Sequence, residues 1–172
     1  MAFLLLLPFF LVRFGLMALL DRKAVLRAAH FPPLAGGEIA AYWVYQVSTV
    51  VLVLYPVFLQ PRTVPRSLFV TGTTVYLLVM ILLTGAVVNF SFPSEKGLNQ
   101  NGLYRISRNP MYVAYFFVFL GCALLAQSPA LLAALFCFQF SAHWIIRAED
   151  RWCIRQFGDI YVQYMKRVRR YI

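Results

Sequence analysis

Two short polar clusters interrupt a chain that is otherwise strongly apolar. The first is Gly102-Leu103-Tyr104-Arg105-Ile106-Ser107-Arg108-Asn109-Pro110-Met111-Tyr112, and the second is Glu149-Asp150. Pro110 suits the first turn of a helix and biases Asn109 toward extended backbone. The free N–H groups of that turn, with the positive end of the helix dipole, can then hold an anion such as a carboxylate. Arg105 and Arg108 strengthen that preference. Tyr104 and Tyr112 add aromatic faces, which attract a cation such as a sulfonium. Glu149 and Asp150 can grip ribose hydroxyls or a charged amino group. A ligand that satisfies all of these groups has an anionic end, a cationic centre and a sugar, and S-adenosyl-L-methionine matches that description. A plainer reading exists for each cluster. Arg and Asn at a helix mouth can cap the helix and bind phosphate headgroups, and Glu149 can pair with Arg147, Arg151 or Arg155 along a solvated helix face.

Both clusters must be held by elements that live in lipid. Of the 172 residues, 62% are hydrophobic, and the mean hydropathy is +0.72. Five apolar runs approach or exceed the ~17–25 residues that cross a bilayer as helix: Phe3–Leu20, Ile39–Gln60, Ser67–Phe90, Met111–Gln127 and Pro129–Ile146. A soluble domain of this size cannot hide five helices that are apolar all round. The expectation is therefore an all-α, polytopic membrane bundle of about five transmembrane helices, forming a single domain over 1–172. The first run has no basic leader and no small-residue cleavage site after it, so it reads as a membrane helix rather than a signal peptide. Pro8 is expected to kink it, and Arg13 either to snorkel toward the interface, the favoured reading, or to face the protein interior. Pro32-Pro33 and Gly36-Gly37 predict a loop over 21–38, and Pro61 and Pro65 bound a short one. Gln127-Ser128-Pro129 is tight enough to force a helical hairpin, with Ser128 as N-cap and Pro129 in the first turn. After Ile146 the last helix can run on to Gln156. Gly158 then re-aims the chain, and Ile160, Tyr161, Tyr164 and Val168 alternate with basic residues as in an interfacial amphipathic helix. That tail reads first as a membrane-surface anchor, and alternatively as a lid whose arginines reach the site.

Charge sets the expected orientation. Sixteen Lys and Arg face six Asp and Glu, a net charge of +10. With five spans, thirteen of the sixteen cations fall on one side: Arg22, Lys23 and Arg27, then Lys96, Arg105 and Arg108, then seven between Arg147 and Arg170. Arg62 and Arg66 fall on the other side. The positive-inside rule makes the thirteen-cation side cytoplasmic and places the amino terminus outside. Topology accounts for the charge, so no nucleic-acid partner is called for, and the basic tail can touch anionic membrane lipids. Cys122, Cys137 and Cys153 contain no CxxC, and His30 and His143 lack metal-ligand spacing, so neither a disulfide framework nor a metal site is expected.

Gly102-x-Tyr104-x-x-x-Arg108-Asn109-Pro110-x-Tyr112, followed by the apolar hairpin, Glu149-Asp150, Phe157-Gly158-x-x-Tyr161-x-x-Tyr164 and Val168, resembles the isoprenylcysteine carboxyl methyltransferase and phospholipid methyltransferase superfamily. The resemblance covers about 95–172 and is specific as an ordered set. It implies an integral-membrane methyltransferase that uses S-adenosyl-L-methionine, with a cytosolic pocket and a lipophilic substrate entering from the bilayer. Tyr104, Arg108, Asn109, Pro110 and Tyr112 would form one wall of that pocket, and Glu149 and Asp150 the other. Transfer would be a direct displacement at the sulfonium methyl. An arginine, Arg108 or Arg170, would hold a carboxylate acceptor, whereas Glu149 or Asp150 would take the proton of an amine acceptor. His143, about two turns before Asp150 on the same face, could line a tunnel or sit as a satisfied core histidine. The pattern departs from the prenylcysteine enzymes: Asn109 stands where they carry His, Ala114 where a Gly is usual, and Asp150 where a second Glu is usual. Asn109-Pro110-Met111-Tyr112 looks closer to the phospholipid N-methyltransferases, while the Phe157-Gly158 tail looks more like the carboxyl methyltransferase side. Prenylcysteine carboxyl methylation leads; ethanolamine-phospholipid N-methylation and small-thiol S-methylation remain open. So do an NADPH-dependent sterol-reductase-like enzyme and a non-catalytic lipid-binding protein. The soluble methyltransferase fold is ruled out by the lack of a glycine-rich strand-to-helix loop.

The orientation has a direct test. In intact cells a Ser94→Cys variant is expected to resist an impermeant thiol reagent, read against the unsubstituted protein. Rapid labelling at that position would reverse the topology.

Overall fold

The computed structural model describes residues 2–59, 64–94 and 97–172. Gln60, Pro61, Arg62 and Lys96, which enter the span and charge assignments above, lie outside the described residues. The described residues form seven α-helices. Four are long and apolar enough to cross a membrane: α1 (Phe3–Leu20), α3 (Gly37–Phe58), α4 (Arg66–Ser91) and α6 (Pro129–Phe157). The fifth expected span is α5 (Pro110–Leu125). At 16 residues it is about 24 Å long, short of the ~30 Å hydrocarbon core. Pro110 fixes its start, and Gln127 at φ 48° turns the chain just after its end. The two shorter amphipathic helices, α2 (Arg22–Ala29) and α7 (Asp159–Arg167), carry most of their charge outward.

Local chemistry explains two departures from expectation. The Pro-Pro and Gly-Gly pairs predict a loop over 21–38, yet α2 forms inside it. Asp21 ends α1 in an extended conformation and accepts a 2.9 Å hydrogen bond from the Lys23 amide, which is an N-cap. Ala24 is then buried and Val25 and Ala28 pack on the core. In α1, Pro8 is followed by a wider π-type turn at Leu11–Leu16. Such turns re-aim side chains, and this one contains Arg13.

α3 packs along α6, and α4 along α5. Small residues set the second contact. A Cβ on Gly72 would lie 2.9 Å from the Leu125 side chain, and one on Gly121 would lie 3.4 Å from Tyr76 Cβ. Close approach through small residues is how helices associate in lipid, where no hydrophobic drive separates them from the solvent. Leu83, Val87, Val118, Leu135 and Phe138 fill the interior, while Trp43, Phe58, Leu78, Ile81, Phe136 and Phe140 are exposed on the outside. An apolar exterior over a packed interior suits a bilayer. The α5–α6 turn is the expected hairpin: Ser128 Oγ caps α6 by accepting from the Leu131 amide at 3.3 Å.

The first polar cluster is pinned to the end of α4. Asn89 Oδ1 accepts from the Leu103 amide at 2.9 Å, and Asn101 Nδ2 donates to the Phe92 carbonyl at 2.9 Å. Gly102 starts a short 3-10 turn, Gly102–Arg105, at φ 50°. A Cβ there would fall 2.1 Å from Asn89 Oδ1. Gly102→Ala should therefore both strain the backbone and displace Asn89, costing about 1–3 kcal/mol. Gly36→Ala, at φ 56° but with open space around it, should cost less. Thermal unfolding in detergent reads the difference, and equal melting temperatures for the two variants would refute the Asn89 contact.

Candidate functional site

A cavity of about 690 Å³ opens between the mouths of these helices, within the ~300–1,000 Å³ range of small-molecule sites. Tyr104, Arg108, Asn109 and Tyr112 line it together with Glu149 and Asp150, and the two clusters touch directly, Arg108 on Asp150 at 2.8 Å and Tyr112 on Glu149 at 2.9 Å. Arg13, Tyr45 and Tyr115 extend it into the membrane-spanning region, and His30, Trp152 and Phe157 lie at its outer part. The two sequence clusters thus meet at one space.

Asp150 holds that space together. It is buried, and three hydrogen bonds and one further ion-pair contact converge on its two oxygens. Oδ1 accepts from Arg108 Nη1 at 2.8 Å and from the Tyr161 hydroxyl at 2.6 Å. Oδ2 accepts from Arg170 Nε at 3.0 Å and lies 3.0 Å from its Nη2. A buried carboxylate is tolerated only when such partners replace its water. Burial, and then the bond to Asp150, push the Tyr161 phenol well above its ordinary range, so it remains a donor. Around this node the carboxy-terminal segment is tied to the helix mouth. The Arg108 amide donates to the Arg169 carbonyl at 2.9 Å, Asn109 Nδ2 donates to the Arg170 carbonyl at 3.0 Å, and the Tyr164 hydroxyl donates to the Tyr104 carbonyl at 2.6 Å. Tyr161, Tyr164 and Val168 are buried against Leu98 and Phe157. The tail therefore docks on the protein with its aromatic face instead of anchoring on the membrane by it.

Glu149 differs from its neighbour. It does not pair with Arg147, Arg151 or Arg155. Arg151 instead reaches Glu38 at 2.6 Å, and Arg147 lies over the Trp144 ring at 5.3 Å. Glu149 is half-buried, lines the cavity, and accepts one hydrogen bond, from the Tyr112 hydroxyl at 2.9 Å.

The expected site residues separate into three groups. Tyr104, Arg108, Asn109, Tyr112, Glu149 and Asp150 line the cavity. Pro110 is buried at the start of α5 and sets its direction. Arg170 lies outside the cavity lining, because its guanidinium is spent on Asp150, so it positions rather than contacts a ligand. Arg108 is likewise committed to Asp150. Asp150, with both oxygens taken, is occupied in holding the walls. Asn109 sits at the N-cap of α5 without capping it, since its side-chain amide goes to the tail. The first-turn amides of Met111 and Tyr112 therefore have no side-chain cap. Arg105 is exposed and turned away from the cavity. His143 lines neither a tunnel nor the core: its Nδ1 pairs with the Tyr171 hydroxyl at 2.9 Å in a groove on the outer face.

Arg13 is the residue the sequence reading misplaces. It does not snorkel. Its Nη2 donates to the Ala28 carbonyl at 3.3 Å, and its guanidinium lies 5.7 Å from the Tyr115 ring centre, on the cavity wall. A lone arginine within an apolar span was the available signal; its facing depends on the π-type turn, which no local pattern announces.

Among the described residues, three buried polar atoms of cavity-lining side chains have no hydrogen-bond partner: Arg108 Nε, Arg27 Nε and Asn99 Oδ1. Two donors and one acceptor, beside six lining tyrosines and a carboxylate with one hydrogen-bond partner, suit a ligand with anionic, cationic and hydroxyl groups.

A family model described as phospholipid methyltransferase matches residues 62–160. The chain belongs to that family of membrane methyltransferases, within the superfamily that the ordered motifs indicate. Membership implies methyltransferase chemistry rather than the reductase alternative. No curated protein and no solved structure matches the chain. The match includes both clusters but stops before Tyr161, Tyr164 and Arg170, and starts after Arg13.

Asp150→Asn keeps the shape and removes the charge that two arginines share. It should destabilise the protein by about 3–5 kcal/mol and free the tail. Hydrogen exchange of the Arg108 amide and of residues 168–171 is expected to accelerate together; unchanged exchange in both would show that Asp150 is not the node.

Proposed function

We propose that this protein transfers a methyl group from S-adenosyl-L-methionine to the amine of a lipophilic acceptor that enters from the bilayer. In this reading the cavity and carboxy terminus face the cytoplasm and the amino terminus lies outside, the orientation that the positive-inside rule favours when α5 is counted as a span. The observation that carries the reading is Glu149: a carboxylate inside the cavity, within the family-matched segment, with Tyr112 as its one hydrogen-bond partner. It is free to take a proton or to hold an ammonium.

The residues fit the cofactor. Tyr104 and Tyr112 offer aromatic faces to a cationic centre. The uncapped first turn of α5 and the orphaned Arg108 Nε offer donors to a carboxylate or hydroxyl, and Asn99 Oδ1 offers an acceptor. When bound, S-adenosyl-L-methionine supplies an electrophilic sulfonium methyl, which a nucleophile takes by in-line displacement. The protein's tasks are orientation and exclusion of water. The docked tail serves the second, because its Tyr161 and Tyr164 line the cavity and pack with Leu98 and Val168. An ammonium acceptor is not nucleophilic until it loses a proton, and Glu149 accepts it while the Tyr112 hydroxyl donates to its Oε1.

Carboxyl methylation is the less favoured acceptor chemistry. It needs a guanidinium to hold the substrate carboxylate, and the two candidates from sequence, Arg108 and Arg170, are both engaged by Asp150. The description of the matching family model, phospholipid methyltransferase, is compatible with a lipid acceptor.

Calorimetry on the detergent-solubilised protein should show saturable binding of S-adenosylhomocysteine, weakened about tenfold or more by Glu149→Ala and by Asn109→Ala. A radiolabelled methyl assay over amine lipids, prenylcysteines and small thiols should label the amine lipids first. Absence of cofactor binding by the wild-type protein would end the proposal.

A further inference from the structure

Five charged side chains line the cavity: Arg13, Arg27, Arg108, Glu149 and Asp150. Three of them are neutralised locally. Arg108 pairs with Asp150 at 2.8 Å, and Arg27 pairs with Asp21 at 3.0 Å. Glu149 and Arg13 have no oppositely charged partner within 4.0 Å among the described residues. Glu149 enters the reading above. Arg13 does not.

The position of Arg13 makes its isolation costly. It lies seven residues before the end of α1, about 10 Å inside the span by helical rise. A charge at such depth needs a partner or water. Its protein acceptors are poor ones: the Met17 sulfur at 3.2 Å, a weak acceptor, and the Ala28 carbonyl at 3.3 Å. The rings of Phe14 and Tyr115, at 5.3 and 5.7 Å, add cation–π attraction. None of these neutralises the charge. Arg27, on the adjoining helix α2, lines the same cavity, and its buried Nε has no partner. The π-type turn at Leu11–Leu16 spans Arg13, a departure from regular helix of the kind that recurs at functional sites.

We propose that Arg13 is an anion-binding residue of the cavity, holding an anionic oxygen group of a ligand with help from Arg27 Nε. The two sources of such a group are the α-carboxylate of the cofactor and the phosphodiester of an amine-lipid acceptor. The inference rests on the methyltransferase reading only for the cofactor source; the acceptor source stands by itself. Together with Glu149 it makes the cavity a receptor for a ligand that is anionic at one end and cationic at the other.

The test compares probes with and without the anion, by calorimetry on wild-type protein and Arg13→Met. S-adenosylhomocysteine is set against methylthioadenosine, which lacks the amino-acid carboxylate. Dihexanoyl phosphatidylethanolamine is set against dodecylamine, which lacks the phosphodiester. The expected result is a loss of about tenfold or more for one anionic probe, with its anion-free counterpart unchanged; the affected pair identifies the source. Arg13→Lys, which keeps the charge, should fall between. Where Arg13→Met lowers the yield of folded protein, Arg13→Gln carries the same comparison. Equal effects on both members of each pair, no effect on either, or no binding of either anionic probe by the wild type would overturn the assignment. If S-adenosylhomocysteine alone fails to bind the wild type, the methyltransferase reading fails, and the phospholipid pair still decides the role of Arg13.

Discussion

One buried carboxylate organises the polar end of this membrane bundle. Asp150 on α6 draws in Arg108 from the mouth of α5, Tyr161 from α7 and Arg170 from the carboxy-terminal segment. Each donor comes from a different stretch of chain, so the node fixes their relative placement as no pair of contacts could. The same bonds explain why the tail runs beside Ser107–Asn109 and why Asn109 gives its side chain to the tail instead of to its own helix. Opposite charges make this favourable only as a set. A lone Asp, or a lone Arg, would carry its full desolvation cost at that depth.

With Asp150 and Arg108 consumed in building the walls, the charges left to face a ligand are few and well separated in role. Glu149, next to Asp150 in sequence, projects into the cavity with one hydrogen bond from Tyr112. Adjacent carboxylates with such different surroundings can serve structure and chemistry separately. The apolar remainder of the cavity, built from Tyr45, Phe90, Tyr115 and their neighbours, continues into the membrane-spanning region. A water-soluble cofactor and a lipid acceptor could therefore reach one another without either leaving its own phase.

Much of this was legible in the sequence, for identifiable reasons. Membrane helices announce themselves by composition, since lipid forces every backbone group to be satisfied within the helix. The hairpin followed from Ser128-Pro129, and the two walls of the cavity from Arg108-Asn109-Pro110 and Glu149-Asp150. What failed to show was pairing across distance. Arg108 and Arg170 looked like free cations because nothing local reveals that they share Asp150. The tail's Tyr161 and Tyr164 had the right period for an amphipathic helix, but the period does not say whether lipid or protein covers the aromatic face. Helix α2 was hidden by the Pro and Gly residues that follow it, although its cap, Asp21, was in plain view. Arg13 was visible as an anomaly and mis-aimed for want of the π-type turn.

The central claim is that the two clusters and the docked tail form the wall of one cofactor cavity. Backbone hydrogen exchange of the detergent-solubilised protein, with and without S-adenosylhomocysteine, tests it most directly. The account predicts that bound ligand slows exchange together in residues 108–113, in 149–153 and in 161–170, and leaves the 126–128 turn unchanged. Slowing confined to regions away from these three segments, or in one of them alone, would contradict it.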